Sequence, residues 1–343
     1  MNAMPSIRED LKNFTAYSSA RMEAVEGRVW LNANELPWGE HNRYPNQQSQ
    51  ELVMLMSDYY KVKQNQLLVT RGSDEGIDLL IRLFCQAYQD AIMITPPTFG
   101  MYAMYASLQG AKIIEAPLIS EDFTLDCDLI LERWQPSVKI VFLCSPNNPT
   151  GQSIDDQIIE MLCERLSGKA IVVVDEAYCE FSESLGGISL LDKCDNLVVL
   201  RTLSKGFGLA ALRIGVILGN NVLINTLKKI LAPYPLSALS VQSAIAAFQK
   251  TALARMLEYV LRICNEKARL SNALQDLNIV KRVWPSQANF LLVEFNMAVE
   301  NDCLAQGIIL RKMDQRTGIV NSMRISVGTT DENTALLNLL GGL

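Results

Sequence analysis

A mainly parallel α/β sheet of seven strands, covered by helices and followed by a smaller α+β unit, is the fold class this sequence predicts. Three observations predict it. Short runs nearly continuous in Val, Ile and Leu recur between about residues 50 and 240, as in strands buried on both faces. Segments of helical spacing alternate with those runs. The character of the chain then changes after Ala232-Pro233-Tyr234-Pro235.

In chain order, strands are expected at Gln66–Thr70, Ala91–Thr95, Lys112–Glu115, Lys139–Cys144, Ala170–Asp175, Leu197–Thr202 and Arg213–Leu218. Asp74–Gln86 and Asp155–Leu166 have the spacing of crossover helices. Such alternation implies a parallel sheet whose functional crevice opens at the carboxyl ends of its strands. Beyond the proline pair, one long helical stretch, Ser240–Leu277, leads to strand candidates at Ala288–Phe295, Gly307–Arg311 and Ser322–Val327. The expected organisation is an N-terminal arm over 1–30, a large domain over 31–235 and a small domain over 236–343.

The bulk properties agree. A chain of 343 residues, 49% hydrophobic and 20% charged, has material for two domains sharing a cleft. A net charge of −6 argues against nucleic acid or an anionic membrane as partner. The eight cysteines form no CxxC pair, and several sit in apolar runs such as Val141-Phe142-Leu143-Cys144, so free buried thiols are expected rather than disulfides. His41 is the only histidine, which excludes a metal site built on histidines and any Ser-His-Asp triad that does not use it. Its polar neighbours, Glu40 and Asn42, suit a surface residue. Met1–Asp10 lacks the apolar core of a secretion signal, and no run approaches the ~20 apolar residues of a membrane span, so a cytoplasmic protein is expected.

The chemistry is concentrated just after the predicted strands. Thr202-Leu203-Ser204-Lys205-Gly206 puts a lysine at a strand end, where burial or neighbouring cations turn an amine into a Schiff-base nucleophile. Ser204 and Arg213 can clamp a phosphate. Taken alone, the segment is equally a surface turn. Asp175 ends the apolar strand Ile171-Val172-Val173-Val174, a costly place for a carboxylate unless it is paired. Such an acid can hold a pyridinium nitrogen protonated, or simply cap the next turn. Tyr178, three residues on, can donate to a phenolate oxygen.

Ser145-Pro146-Asn147-Asn148-Pro149-Thr150-Gly151 is a turn by composition, in which Asn148 can also address the same phenolate. Arg71-Gly72-Ser73-Asp74 opens a helix whose first amides can receive a phosphate, with Ser73 or Asp74 as an ordinary N-cap. Within Thr95-Pro96-Pro97-Thr98-Phe99-Gly100-Met101-Tyr102, Phe99 is either a stacking platform or a core aromatic. Arg311 and Arg324 lie on or beside strands and suit bidentate capture of an anion, or face water. No single segment decides, but their order and placement together do.

These residues resemble the fold type I pyridoxal 5′-phosphate-dependent aminotransferases, and within them the histidinol-phosphate aminotransferase family. Leu31-Asn32-Ala33-Asn34-Glu35-Leu36-Pro37, Arg43-Tyr44-Pro45 and Ala232-Pro233-Tyr234-Pro235-Leu236-Ser237 carry the narrower likeness. Ser145 to Gly151 and Ser204-Lys205 are superfamily-wide. The resemblance implies that the large domain binds pyridoxal phosphate and that Lys205 is the Schiff-base lysine and proton shuttle. It implies Asp175 at the pyridinium nitrogen, Tyr178 and Asn148 at the phenolate, and Phe99 on the ring face. Phe99 departs from the tyrosine often found there, which removes a hydroxyl and keeps the stacking. Ser204, Arg213 and the Ser73 and Asp74 amides would hold the cofactor phosphate, joined by Tyr44 from the partner of a homodimer. Tyr17, Asn34, Arg311 and Arg324 would contact substrate.

The implied reaction is ping-pong amino transfer between L-histidinol phosphate and 2-oxoglutarate, giving imidazole-acetol phosphate and L-glutamate. An aromatic or broad-specificity aminotransferase and a phospho-amino-acid decarboxylase share the fold and stay open. A non-catalytic cofactor-binding protein fits poorly with retention of Lys205 and Asp175.

Overall fold

The computed structural model describes residues 4–15, 29–184 and 186–343. Along the chain the first elements are α1 (Gln50–Tyr60), β1 (Leu67–Thr70), α2 (Gly72–Phe84), β2 (Ala91–Ile94), α3 (Met101–Gln109), β3 (Lys112–Glu115) and α4 (Cys127–Arg133). There follow β4 (Val138–Cys144), α5 (Asp156–Arg165), β5 (Ile171–Asp175), β6 (Leu197–Thr202), β7 (Gly215–Gly219) and α6 (Asn221–Ile230). All seven expected strands are present, and they form one sheet in the order β1-β7-β6-β5-β4-β2-β3. Only β7 runs antiparallel to its neighbours, β1 and β6.

The continuous apolar runs are explained by cores on both faces. Val172 and Val174 of β5 enter one core, under α1 and α5, whereas Ile171 and Val173 enter the other, under α2 and α3. Met4, Ile7 and Leu11 of the N-terminal segment also pack against the second core. Register then aligns the strand ends. Cys144 pairs with Asp175 and Asp175 with Leu200, while Thr70 and Thr202 both pair with Gly215. The residues that follow β1, β4, β5 and β6 therefore emerge together at one edge, beside the start of β7.

The expected long helix over 240–277 is two helices, α7 (Ala238–Ala247) and α8 (Lys250–Gln275). The break is at Gln249, whose backbone is extended (φ −66°, ψ 145°). Phe248 beside it is buried against Tyr59 and Phe207, with ring centroids at 5.4 and 5.3 Å, which pins the corner to the large sheet. Helical spacing continues across the corner, so periodicity alone does not expose it. The remaining elements are β8 (Val280–Val283), β9 (Phe290–Phe295), α9 (Glu300–Ala305), β10 (Arg311–Lys312), α10 (Asp314–Thr317), β11 (Ser322–Ser326) and α11 (Thr330–Leu340).

These strands make an antiparallel sheet, β10-β11-β9-β8, whose core joins Leu270 and Leu274 of α8 to Leu336 and Leu340 of α11. The strand expected over 307–311 is mostly irregular: Gly307 takes φ +74° in the turn after α9, 308–310 belong to no element, and only Arg311 and Lys312 pair. Arg213, expected to begin a strand, sits in a left-handed conformation (φ 55°) before β7. Tyr178 and Phe181 of the large unit pack with Met256, Val260 and Phe290 of the smaller one and fix the junction. All eight cysteines are free. No helix among the described residues is long and apolar enough to cross a membrane.

Candidate active site

A cavity of about 140 Å³ opens at the aligned strand ends, lined by Ser73, Asp74, Phe99, Asn148, Asp175, Tyr178, Ser204, Lys205 and Arg213. Nine residues chosen from the sequence thus share one space, and Cys144, Ala177, Thr202 and Ala210 complete it.

At its floor, Asp175 is 2% exposed. Tyr102 donates its hydroxyl to Asp175 Oδ2 at 2.8 Å and the Ala177 amide donates to Oδ1 at 3.2 Å. No cation among the described residues forms an ion pair with this carboxylate, and burial raises its pKa to about 6 despite both hydrogen bonds. A buried acid with no counter-charge is suited to a ligand that brings a protonated nitrogen.

Next to it, Asn148 Nδ2 donates to the Tyr178 hydroxyl at 3.2 Å, which leaves the tyrosine proton free to point at a ligand. Arg324 of β11 donates to Asn148 Oδ1 at 2.6 Å and stacks over Phe290 at 5.5 Å. One chain of contacts therefore runs from the small sheet to the cavity floor. Lys205 Nζ lies 5.4 Å from the Tyr178 ring centroid. Protein atoms crowding this otherwise solvent-open side chain push its pKa below that of an ordinary lysine, and Arg324 lowers it further, ahead of the smaller effect of Arg213. The larger cationic influence on Lys205 therefore comes from the small sheet.

The anion cradle is assembled by β1 and β7. No side chain caps α2, so the expected Ser73 or Asp74 cap is absent and its first-turn amides are left for a ligand. Arg213 donates to Ser204 Oγ at 3.3 Å and to Asp74 Oδ2 at 2.9 Å. Two glycines make room. A Cβ on Gly215 would lie 2.4 Å from Gly72 C and Ser73 N, and one on Gly72 would lie 2.6 Å from an Arg213 nitrogen. Phe99 meets Tyr102 edge to face at 5.6 Å, on the cavity wall.

The other candidates lie elsewhere. Arg311 is the cross-strand partner of Arg324 and is exposed. Tyr44, 49% exposed, stacks on Tyr234 at 4.3 Å, and both Tyr44 and Asn34 line a separate depression with Ser237. Tyr17 lies outside the described residues. Sequence reading missed Tyr102, although it closes the quoted run three residues after Phe99, one helical turn on. It also missed Gly215, whose role depends on a strand pairing that no local pattern announces.

A family model described as aminotransferase class I and II matches residues 22–340. A protein named histidinol-phosphate aminotransferase from Francisella philomiragia is 43% identical over 338 residues, covering 97% of this chain and 94% of that protein. Among solved structures, the histidinol-phosphate aminotransferase of Clostridium acetobutylicum superposes with a TM-score of 0.80 at 23% identity, covering 88% of this chain and 90% of that one. That of Sinorhizobium meliloti in complex with pyridoxal 5′-phosphate has a TM-score of 0.79 at 22% identity, covering 88% and 83%.

Proposed function

The chain belongs to the class I and II aminotransferase family, and we propose that its own reaction interconverts L-histidinol phosphate and 2-oxoglutarate with imidazole-acetol phosphate and L-glutamate, a step of histidine biosynthesis. Pyridoxal 5′-phosphate is the cofactor of this chemistry, and the residues fit it: the uncompensated Asp175 for a ring nitrogen, Tyr178 and Asn148 for a phenolate, and Arg213, Ser204 and the start of α2 for a phosphate. When bound, the cofactor supplies an electron sink for the pair of electrons left on the substrate's Cα.

The protein's residues do the rest. Lys205 Nζ, neutral more readily than an ordinary lysine amine, accepts the Cα proton and gives it up again within the same half-reaction. Asp175 holds its ligand's nitrogen in the cationic form. In this reading Arg324 takes the anionic group of either substrate, because carboxylate and phosphate both offer paired oxygens. The packing of Tyr178 against Phe290 keeps the floor of the site rigid.

The observation that carries this reading is the shared cavity of Lys205, Asp175 and Arg213, whose wall residue Asn148 is bonded by Arg324 of the small sheet. It is tested by steady-state assay of the purified holoenzyme with histidinol phosphate and 2-oxoglutarate, read as glutamate formed. Turnover confined to phenylalanine, or carbon dioxide released from threonine phosphate, would overturn it in favour of the other activities of this fold.

The same reading includes a homodimer in which Tyr44 reaches the partner's cofactor phosphate. In support, Tyr44 stands outside its own chain's cavity, and Leu31, Leu36 and Trp38 nearby in sequence are exposed apolar side chains. The free cysteines suit a reducing, cytoplasmic setting.

A further inference from the structure

Three arginines of the small unit, Arg311, Arg316 and Arg324, have no carboxylate partner among the described residues, and Arg324 bonds Asn148 on the cavity wall. Arg311 and Arg324 are paired across β10 and β11, and Arg316 follows on α10. Burial lowers the pKa of Arg324, and Arg311 and Arg316 lower it further, so Arg324 lies within the field of both. Within the cavity itself, Arg213 is neutralised by Asp74 at 2.9 Å. Uncompensated arginines beside the cavity wall favour an anion of more than one charge.

Arg316 spans the two units. The place of a Cβ on Gly100 is 3.4 and 3.5 Å from its terminal nitrogens and 3.6 Å from Cζ, so its guanidinium lies against the Gly100 backbone. Gly100 directly follows Phe99 on the cavity wall. Neither strand pattern nor family motif marks this residue; its place is known only from the contact.

The geometry points to Arg316 as a specificity-determining residue that contacts the phosphate monoester at the non-reacting end of the substrate. This rests on the reading of that substrate as a phosphorylated amine. A phosphate dianion gains from a third guanidinium, whereas the single side-chain carboxylate of glutamate is satisfied by the arginines on β10 and β11.

The test compares wild-type holoenzyme with Arg316→Gln and Arg316→Lys. For Arg316→Gln, KM for histidinol phosphate should rise about tenfold with kcat within about twofold, the size expected for one exposed charge-assisted contact. KM for glutamate should move less than about threefold, and Arg316→Lys should recover part of the loss. A KM for histidinol phosphate unchanged within about twofold, or an equal rise for both substrates, would overturn the assignment. Inorganic phosphate, as a competitive inhibitor of glutamate turnover, separates the two readings. Inhibition weakened by Arg316→Gln in an enzyme inactive on histidinol phosphate faults the proposed substrate and keeps the anion contact; inhibition unchanged by it removes the contact.

Discussion

Tyr102 and Asp175 are joined by a 2.8 Å hydrogen bond at the floor of the cavity, where no cation among the described residues forms an ion pair with the carboxylate. Burial holds the Asp175 pKa at about 6, and the bond from Tyr102 works against that rise. Above about pH 6 the acid is ionised and can pair with a protonated ring nitrogen; below it the acid is neutral and cannot. The affinity of the apoprotein for pyridoxal phosphate should therefore fall as pH drops through about 6. Tyr102→Phe should move that midpoint upward by less than about one pH unit, since the lost bond favoured the ionised form. Equilibrium dialysis between pH 5 and 8 checks both, and a flat profile contradicts them.

Lys205→Ala should lower glutamate turnover by at least about 10³-fold, because it removes both the nucleophile and the proton acceptor. The cofactor's phosphate and ring contacts remain, so the variant should still bind pyridoxal phosphate. Borohydride should fix labelled cofactor to the wild type and not to the variant.

Gly215→Ala should damage the anion cradle specifically. The added methyl would sit 2.4 Å from Gly72 C and Ser73 N, so the start of α2 must shift. We expect at least about tenfold weaker cofactor binding and a loss of about 1–3 kcal/mol in stability. Gly208→Ala is the control: nothing lies within 4 Å of its Cβ, and φ is +67°. It should cost about 1–2 kcal/mol of backbone strain and leave cofactor affinity nearly unchanged. Thermal melts and dissociation constants of the two variants separate the effects.

If Tyr44 serves the partner's site, Tyr44→Ala and Lys205→Ala subunits should complement. Each homodimer is crippled, but a mixed dimer has one site with Lys205 and Tyr44 both intact. Random mixing makes half the dimers mixed, with one good site in each, so recovered activity should reach about a quarter of wild type. No recovery after subunit exchange would place Tyr44 in a structural role.

Much of this was legible before the fold was seen, for a definite reason. Strands buried on both faces leave unbroken apolar runs, and the residues just after them are polar for chemistry rather than solubility, so Asp175, Asn148 and Lys205 stand out locally. What was not legible depends on contacts between distant segments. The corner at Phe248 exists because Tyr59 and Phe207 hold that ring. Gly215 matters because β7 lies against the start of α2. Arg316 reads as a surface arginine until Gly100 is found beneath it. The exposed strand Lys112–Glu115 was identified despite its mixed pattern, since it closes the sheet edge beside β2.

The pairing of Thr70 with Gly215 has a consequence for how the protein is made. The first strand of the large sheet to leave the ribosome cannot complete the anion cradle until the last one, β7, has followed it and turned back alongside. A nascent chain short of Gly219 thus has the Gly72–Asp74 turn but lacks the strand that anchors Arg213. Mass-action stabilisation by pyridoxal phosphate reaches only molecules whose first and last strands have already met. Cofactor binding through this cradle therefore stabilises only chains in which β1 and β7 have paired.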